Sequence, residues 1–199
     1  MYVTRLEEDG MAVEHWFDFI CPYCYIGQDR TKILRSHGIT VVEHGLQVHP
    51  EIGPGGVVVG QRVGPQYEHL VAEAAAAGLP LNWTDRIGYS RPALTAFEWL
   101  NENDPVVAGR FAESVFAAYF ADGQDIEAAE LLVKLAADAG GDLTGLTSEP
   151  LDRSEALARS IGVNSTPTWI ADGQKVSGLR PRAWFEQWAT LLGQSQESK

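Results

Sequence analysis

A run dense in aromatic and β-branched residues, Val13-Glu14-His15-Trp16-Phe17-Asp18-Phe19-Ile20, leads straight into Cys21-Pro22-Tyr23-Cys24. The run reads as a largely buried strand. Beyond it, Tyr25 to His37 carries Ile26, Ile33 and Leu34 at helical spacing and closes at Gly38, as a helix with a glycine C-terminus does. Ile39-Thr40-Val41-Val42-Glu43 is a second strand candidate. Strand, helix and strand within about forty residues form a βαβ unit, which requires a parallel pair and a right-handed crossover. The only two cysteines of the chain fall where the first strand meets the helix.

That position gives the pair its chemistry. Residues i and i+3 share one helix face, so two sulfurs at this spacing reach disulfide distance. Cys21 stands at a helix N-terminus, where unpaired backbone N–H groups and the positive end of the helix dipole favour a thiolate. Pro22 suits the first helical position, which needs no N–H. Cys24 lies deeper in the turn and is expected to keep a more ordinary pKa, so Cys21 attacks and Cys24 resolves. Two other readings of a lone C-x-x-C stay open at this point: buried structural thiols, or half of a metal site. A structural zinc site takes four ligands, and of the five histidines only His44 and His49 are sequence neighbours. No metal is expected.

Composition excludes several classes of partner. Fifteen Lys and Arg against 27 Asp and Glu give a net charge of −12, the wrong sign for gripping nucleic acid or an anionic membrane. No run of about 18 apolar residues exists to span a bilayer. The opening MYVTRLEEDG lacks the basic start and apolar run of a signal peptide, so a cytoplasmic location is expected. These ten residues read as an alternative start, an appended segment or a frayed tail.

Glu51 to Gly64 is Gly/Pro/Val-rich without a sustained period and reads as a connecting loop. The next eighty or so residues are Ala-rich and helical. Pro65 opens a first helix through Leu70 and Ala74 that stops at Gly78, and Ser90 caps a second bearing Leu94, Phe97 and Leu100. Asp104-Pro105 starts a third with Phe111, Val115 and Tyr119 on one stripe, and Asp125 caps a fourth from Ile126 to Ala139, which Gly140-Gly141 ends. Alternation then returns: a helix from Ser154 to Ile161, a strand at Thr168 to Ala171, the Asp172-Gly173 hairpin signal, a strand at Gln174 to Ser177, and a helix from Pro181 to Leu192. No internal repeat is visible.

In Gly162-Val163-Asn164-Ser165-Thr166-Pro167-Thr168-Trp169, a proline directly before a strand is a candidate cis-proline. Together with the C-x-x-C, the βαβ and ββα order and the hairpin, it resembles the thioredoxin fold, and more closely the DsbA-like family with its inserted helical domain. The implied class is α/β, a thioredoxin-like fold with an all-helical insertion: residues 11–62 the first half of the thioredoxin-like domain, 63–149 the insertion, 150–199 the second half. The chain is most similar to the FrnE-type branch, cytoplasmic DsbA-like oxidoreductases. Four stretches carry that likeness: Phe17 to Gly27, Tyr89 to Leu94, Phe116 to Ile126, and Gly162 to Trp169.

The resemblance implies a thiol–disulfide oxidoreductase with Cys21 as nucleophile, Cys24 as resolving thiol and cis-Pro167 beside them. It places Pro22, Tyr23 and Thr166 against substrate, the Thr166 backbone pairing with an extended segment. Expected partners are protein or peptide thiols and disulfides, glutathione as a co-substrate, or an aromatic small molecule. No bound cofactor is expected beyond the redox-active Cys21–Cys24 disulfide. A homodimer is in keeping with the branch, though no motif encodes it. One departure stands out: many thioredoxin-fold enzymes carry a buried carboxylate six residues before the nucleophile, and here that residue is His15. His15 and Asp18 are candidate proton relays for the resolving thiol, and each also reads as an ordinary hydrogen-bonding residue, His15 more so than Asp18. The aromatics Tyr23, Tyr25, Phe116, Tyr119 and Phe120 line either an apolar cleft or the core.

Two alternatives to disulfide exchange share the likeness. Kappa-type glutathione transferases and hydroxychromene carboxylate isomerases have the same architecture and use glutathione on aromatic or polyketide molecules, but usually carry serine where Cys21 stands. The other is a non-enzymatic redox sensor or peptide-binding module whose surface the disulfide switches.

Overall fold

The computed structural model of the chain describes residues 12–197, so the acidic opening segment lies outside it. The first unit is β1 (Ala12–Phe17), α1 (Pro22–Ser36) and β2 (Thr40–Gly45). The two strands are parallel, with His15 opposite Glu43 and Trp16 opposite His44. β3 (Val57–Val58), α2 (Pro65–Ala76), β4 (Arg86–Ile87), α3 (Arg91–Asn103), α4 (Pro105–Phe120) and α5 (Ala129–Ala139) follow. The chain closes with α6 (Glu149–Ser160), β5 (Thr168–Ala171), β6 (Gln174–Ser177) and α7 (Arg182–Glu197). The main sheet runs β2-β1-β5-β6, and both β5 on β1 and β6 on β5 are antiparallel.

Strand periodicity of two decides which layer each β1 side chain joins. Val13 packs with Ile33 and Leu34 of α1, Trp169 of β5, and Phe185 and Trp188 of α7. Trp16 points the other way, among Leu46, Ala158 of α6 and Val163. Helices therefore cover both faces of the sheet. Phe17 and Phe19, at and beyond the end of β1, join Phe97 of α3 and Phe111 and Phe116 of α4 in the largest core cluster. Fully burying one such side chain stabilises the fold by about 1.5–3 kcal/mol.

One buried charge is satisfied entirely within this scaffold. Arg30 of α1 has no solvent exposure, and its Nη1 donates to Asp29 Oδ2 at 2.8 Å, its Nε to the Arg180 carbonyl at 3.1 Å and its Nη2 to Glu73 of α2. A buried guanidinium is tolerable because its donors are matched in this way.

Several boundaries differ from the sequence expectation, each for a local reason. β1 ends at Phe17 and not Ile20, because Asp18 turns the chain: its carbonyl accepts the Cys21 N–H at 3.1 Å. The segment expected to be loop throughout holds β3, paired antiparallel with β4; two-residue strands are too short to show a period, and their partner is remote in sequence. Asp125 does not cap α5. Its Oδ1 accepts Glu127 N–H at 3.0 Å and its carbonyl accepts Ala128 N–H at 3.2 Å, closing a turn of its own before the helix starts at Ala129. Ser90 precedes α3 without a side-chain cap bond. α6 begins at Glu149, five residues before Ser154, with Pro150 in its first turn.

Candidate active site

The turn at Asp18 delivers Cys21 to the N-cap of α1 in an extended conformation, φ −85° and ψ 113°, with Pro22 as the first helical residue. The Cys21 carbonyl accepts the Cys24 and Tyr25 N–H groups at 3.0 and 3.1 Å, closing the first turn, while its side chain makes no cap bond. Both thiols are free; Cys21 is half-buried and Cys24 fully buried. Across from them the Thr166-Pro167 peptide is cis, at the entry to β5, and the Cys21 Sγ lies 3.5 Å from the Thr166 carbonyl oxygen. α1 packs onto this element at Gly27, beside Trp169 and Pro167.

The two thiols are electrostatically unequal. A hydrogen bond from Cys24 draws the Cys21 pKa below the ordinary thiol value, against the opposing effect of burial. Burial pushes Cys24 well above it, and the bond to Cys21 adds to that shift. The two shifts bias Cys21 toward thiolate and Cys24 toward thiol.

Asp18 is fully buried, and burial pushes its carboxyl up to about 6. Its Oδ2 accepts the Val48 N–H at 3.0 Å and its Oδ1 the Ile20 N–H at 3.4 Å. A charge on Asp18 opposes the thiolate at Cys21, so the two groups sense each other. His15 has other company. Its ring stacks on Trp169 with centroids 4.6 Å apart, and its Nδ1 lies 3.3 Å from Glu43 Oε1. Burial lowers its pKa and holds it neutral, and its Nε2 has no partner.

The structure therefore brings Cys21, Cys24, Asp18, Thr166 and Pro167 together and engages His15 with β2. Tyr25 stacks on Phe120 at 4.8 Å and donates its hydroxyl to the Pro80 carbonyl at 2.7 Å. Tyr25, Phe116 and Phe120 are core residues. Tyr23, half-buried, packs against the small cluster of Ile26, Leu70 and Ala74.

Sequence reasoning missed a recess on the Pro22 side of the nucleophile. Ile20, Pro22 and Tyr119 line it together with Arg62, Trp83 and Arg86. Nothing in their sequence neighbourhoods marks these three residues, which come from irregular segments and a two-residue strand.

A Cys-x-x-C helix start facing a cis-proline across a four-stranded mixed sheet defines a thioredoxin-fold protein with a dithiol site. The model of the DSBA-like thioredoxin domain matches residues 12–187, and the chain belongs to that family. Among solved structures, a probable DsbA oxidoreductase from Streptomyces coelicolor is 26% identical, with a TM-score of 0.74 over 92% of this chain and 89% of that one. A 2-hydroxychromene-2-carboxylate isomerase is 20% identical, with a TM-score of 0.71 over 93% and 96%. The cytosolic disulfide reductase DsbM of Pseudomonas aeruginosa is 20% identical, with a TM-score of 0.65 over 94% and 100%; a second structure of it contains GSH. At 20% identity these last two share the fold alone. No curated protein sequence matches the chain.

Proposed function

We propose that the chain catalyses thiol–disulfide exchange through Cys21 and Cys24, and that it does so as a FrnE-type cytoplasmic enzyme. The observation that carries this reading is the inequality of the two thiols, Cys21 drawn down beside the Thr166 carbonyl and Cys24 pushed up behind it. The Cys21 thiolate attacks one sulfur of a substrate disulfide, forming a mixed disulfide and expelling the other sulfur as a thiolate. Cys24 then loses its proton and attacks the Cys21 sulfur. The substrate leaves as a second thiolate, so it is reduced by two electrons and the pair is oxidised to the Cys21–Cys24 disulfide. Run backwards, the same steps oxidise a dithiol.

In this reading Pro22, Tyr23 and the Thr166 backbone receive the extended substrate segment, beside Pro167. The proton of Cys24 goes to Asp18, whose carboxyl, pushed up to about 6, is matched to accepting and releasing protons near neutral pH. His15 is the poorer relay, because its electrostatic partners are Glu43, Arg35 and His44.

A glutathione pool like that of the cytosol would hold the pair largely reduced, which favours reduction or isomerisation of substrates, with glutathione regenerating the dithiol. Retention of both cysteines favours exchange over glutathione-dependent isomerisation. The test is a glutathione titration of the Cys21–Cys24 couple together with insulin reduction. Cys21→Ser is expected to abolish turnover and Cys24→Ser to accumulate mixed disulfide. A couple that does not titrate, or turnover that survives Cys21→Ser, overturns the reading.

A further inference from the structure

The recess beside Pro22 holds an arrangement that the disulfide chemistry alone does not need. The Arg62 guanidinium lies over the rings of Tyr67, at 5.9 Å, and Trp83, at 5.5 Å, so cation–π attraction fixes it in place. Its Nη2 is 3.4 Å from the Arg86 backbone carbonyl, and Arg86 lines the same recess. Neither has a carboxylate partner among the described residues, although the chain has 27 acidic residues to 15 basic ones. Arg30, Arg35, Arg91 and Arg182 meet carboxylates, while Arg110 and Lys175 donate to backbone carbonyls instead.

Two further donors point to the same need. Arg62 Nε and Trp83 Nε1 are buried and have no hydrogen-bond partner. Orphaned buried N–H groups are rare and costly in proteins, and both of these are donors without an acceptor. Two arginines without carboxylate partners and two unused donors in the lining of one recess favour an anion there. Guanidinium groups match a carboxylate best, as paired N–H donors against two oxygens. The recess is small and open to solvent, too narrow for a folded protein segment, and its lining includes Ile20 and Pro22, the residues flanking Cys21.

We propose that Arg62, Arg86 and Trp83 bind a carboxylate of a small thiol or disulfide substrate of the glutathione type while its sulfur reacts at Cys21. This rests on the exchange reading above and names the substrate class that the site selects. The anchored carboxylate sets the approach of the substrate sulfur to Cys21, and the exchange steps keep the electron balance already given.

The experiment separates binding from redox chemistry. S-methylglutathione carries both carboxylates and has no thiol to exchange, so it serves as the probe. It is expected to slow alkylation of Cys21 by neutral iodoacetamide in a saturable way. Arg86→Gln, on the exposed side of the recess, and Arg62→Lys, which keeps the charge and removes the fork, are each expected to weaken that protection about tenfold, the usual worth of a charge-assisted hydrogen bond. In exchange assays the rate ratio of glutathione disulfide to uncharged hydroxyethyl disulfide is expected to fall by a similar factor in both variants.

Absence of protection in the wild type overturns the proposal. So does an unchanged rate ratio, or protection by an aspartate-rich peptide that S-methylglutathione does not match. A protein that is protected yet exchanges with neither disulfide retains the anion site and loses the proposed function, so the two failures are told apart.

Discussion

Two helices of this chain begin with the same backbone device and different side chains. α1 starts at Cys21-Pro22 and α4 at Asp104-Pro105, each with an extended N-cap residue and proline at the first helical position. At α4 the cap is complete: Asp104 Oδ1 accepts the Val106 and Val107 N–H groups at 2.9 and 3.2 Å. At α1 the N-cap side chain is a thiol that makes no cap bond. The positive end of a helix stabilises a negative group in either case. In α4 that group is a permanent carboxylate and the result is structure. In α1 it is a sulfur whose charge comes and goes, so the same electrostatic gain becomes a bias toward thiolate. The start of α1, where the proposed chemistry sits, is a structural helix start left uncapped.

The entry to α1 also has a carboxylate, but Asp18 is buried where Asp104 is exposed, and this contrast gives the largest predicted effect on stability. Burial raises the Asp18 pKa from 3.8 to about 6. Between those values the folded protein keeps a proton that the unfolded chain has released, so stability falls as pH rises through the interval and stays lower above it. Asp18→Asn removes the penalty. At pH 8 the variant is expected to be more stable than wild type by up to about 3 kcal/mol, reduced by whatever the exchange of an Oδ for an amide costs at the Ile20 and Val48 N–H groups. Urea unfolding at pH 4 and pH 8 checks this, since the advantage should vanish at the lower pH. The same substitution is expected to lengthen the life of the mixed disulfide at neutral pH, which a purely structural aspartate would not do. A variant less stable than wild type at pH 8 would show that Asp18 is paid back in full by its hydrogen bonds.

Asp104→Ala tests the other helix. Losing a carboxylate cap costs about 1 kcal/mol, read as a lower urea midpoint with an unchanged slope. Its insulin-reduction rate is expected to equal that of wild type. A change in rate would mean that the start of α4 couples to the dithiol and that the two helix ends are not independent.

The features of this comparison were visible in the sequence to different degrees. The strand, C-x-x-C, helix and strand order was legible because each signal is local: aromatic density before Cys21, Pro22 at the first helical position, Gly38 at the end. The β5–β6 hairpin was legible for the same reason, since Asp172 and Gly173 take the positive φ values, 48° and 74°, that a tight hairpin requires. The Asp104-Pro105 start was readable as the beginning of a helix, and Asp104 proves to be its cap. Asp125 carried the same signal and spends it on a turn, because a short polar side chain serves a local turn as well as a helix. The β3–β4 pair depends on partners remote in sequence. Arg62, Trp83 and Arg86 were invisible for a related reason: what marks them is the lack of partners, a property of the folded arrangement and not of any residue pattern. His15 occupies the sequence position of a buried acid, and only the stacking on Trp169 and the contact with Glu43 show that it is otherwise engaged.

The smallest effect probes the uncapped helix start most directly. Serine is a favoured N-cap residue and alanine a poor one, so Cys21→Ser and Cys21→Ala, both inactive in exchange, should differ in stability. Serine at position 21 places a hydroxyl acceptor where Asp104 has its carboxylate, on a backbone already extended for the role. It carries no charge, and it meets Cys24 with a smaller atom than sulfur, so the gain is expected to be modest, about 0.5 kcal/mol in favour of serine. Chemical unfolding of the two variants under identical conditions measures it. Equal stabilities would mean that the first-turn N–H groups of α1 are unavailable to any side-chain acceptor. The lowered Cys21 pKa would then rest chiefly on the Cys24 hydrogen bond, with Thr166 adding to it, and Cys24→Ala would raise it.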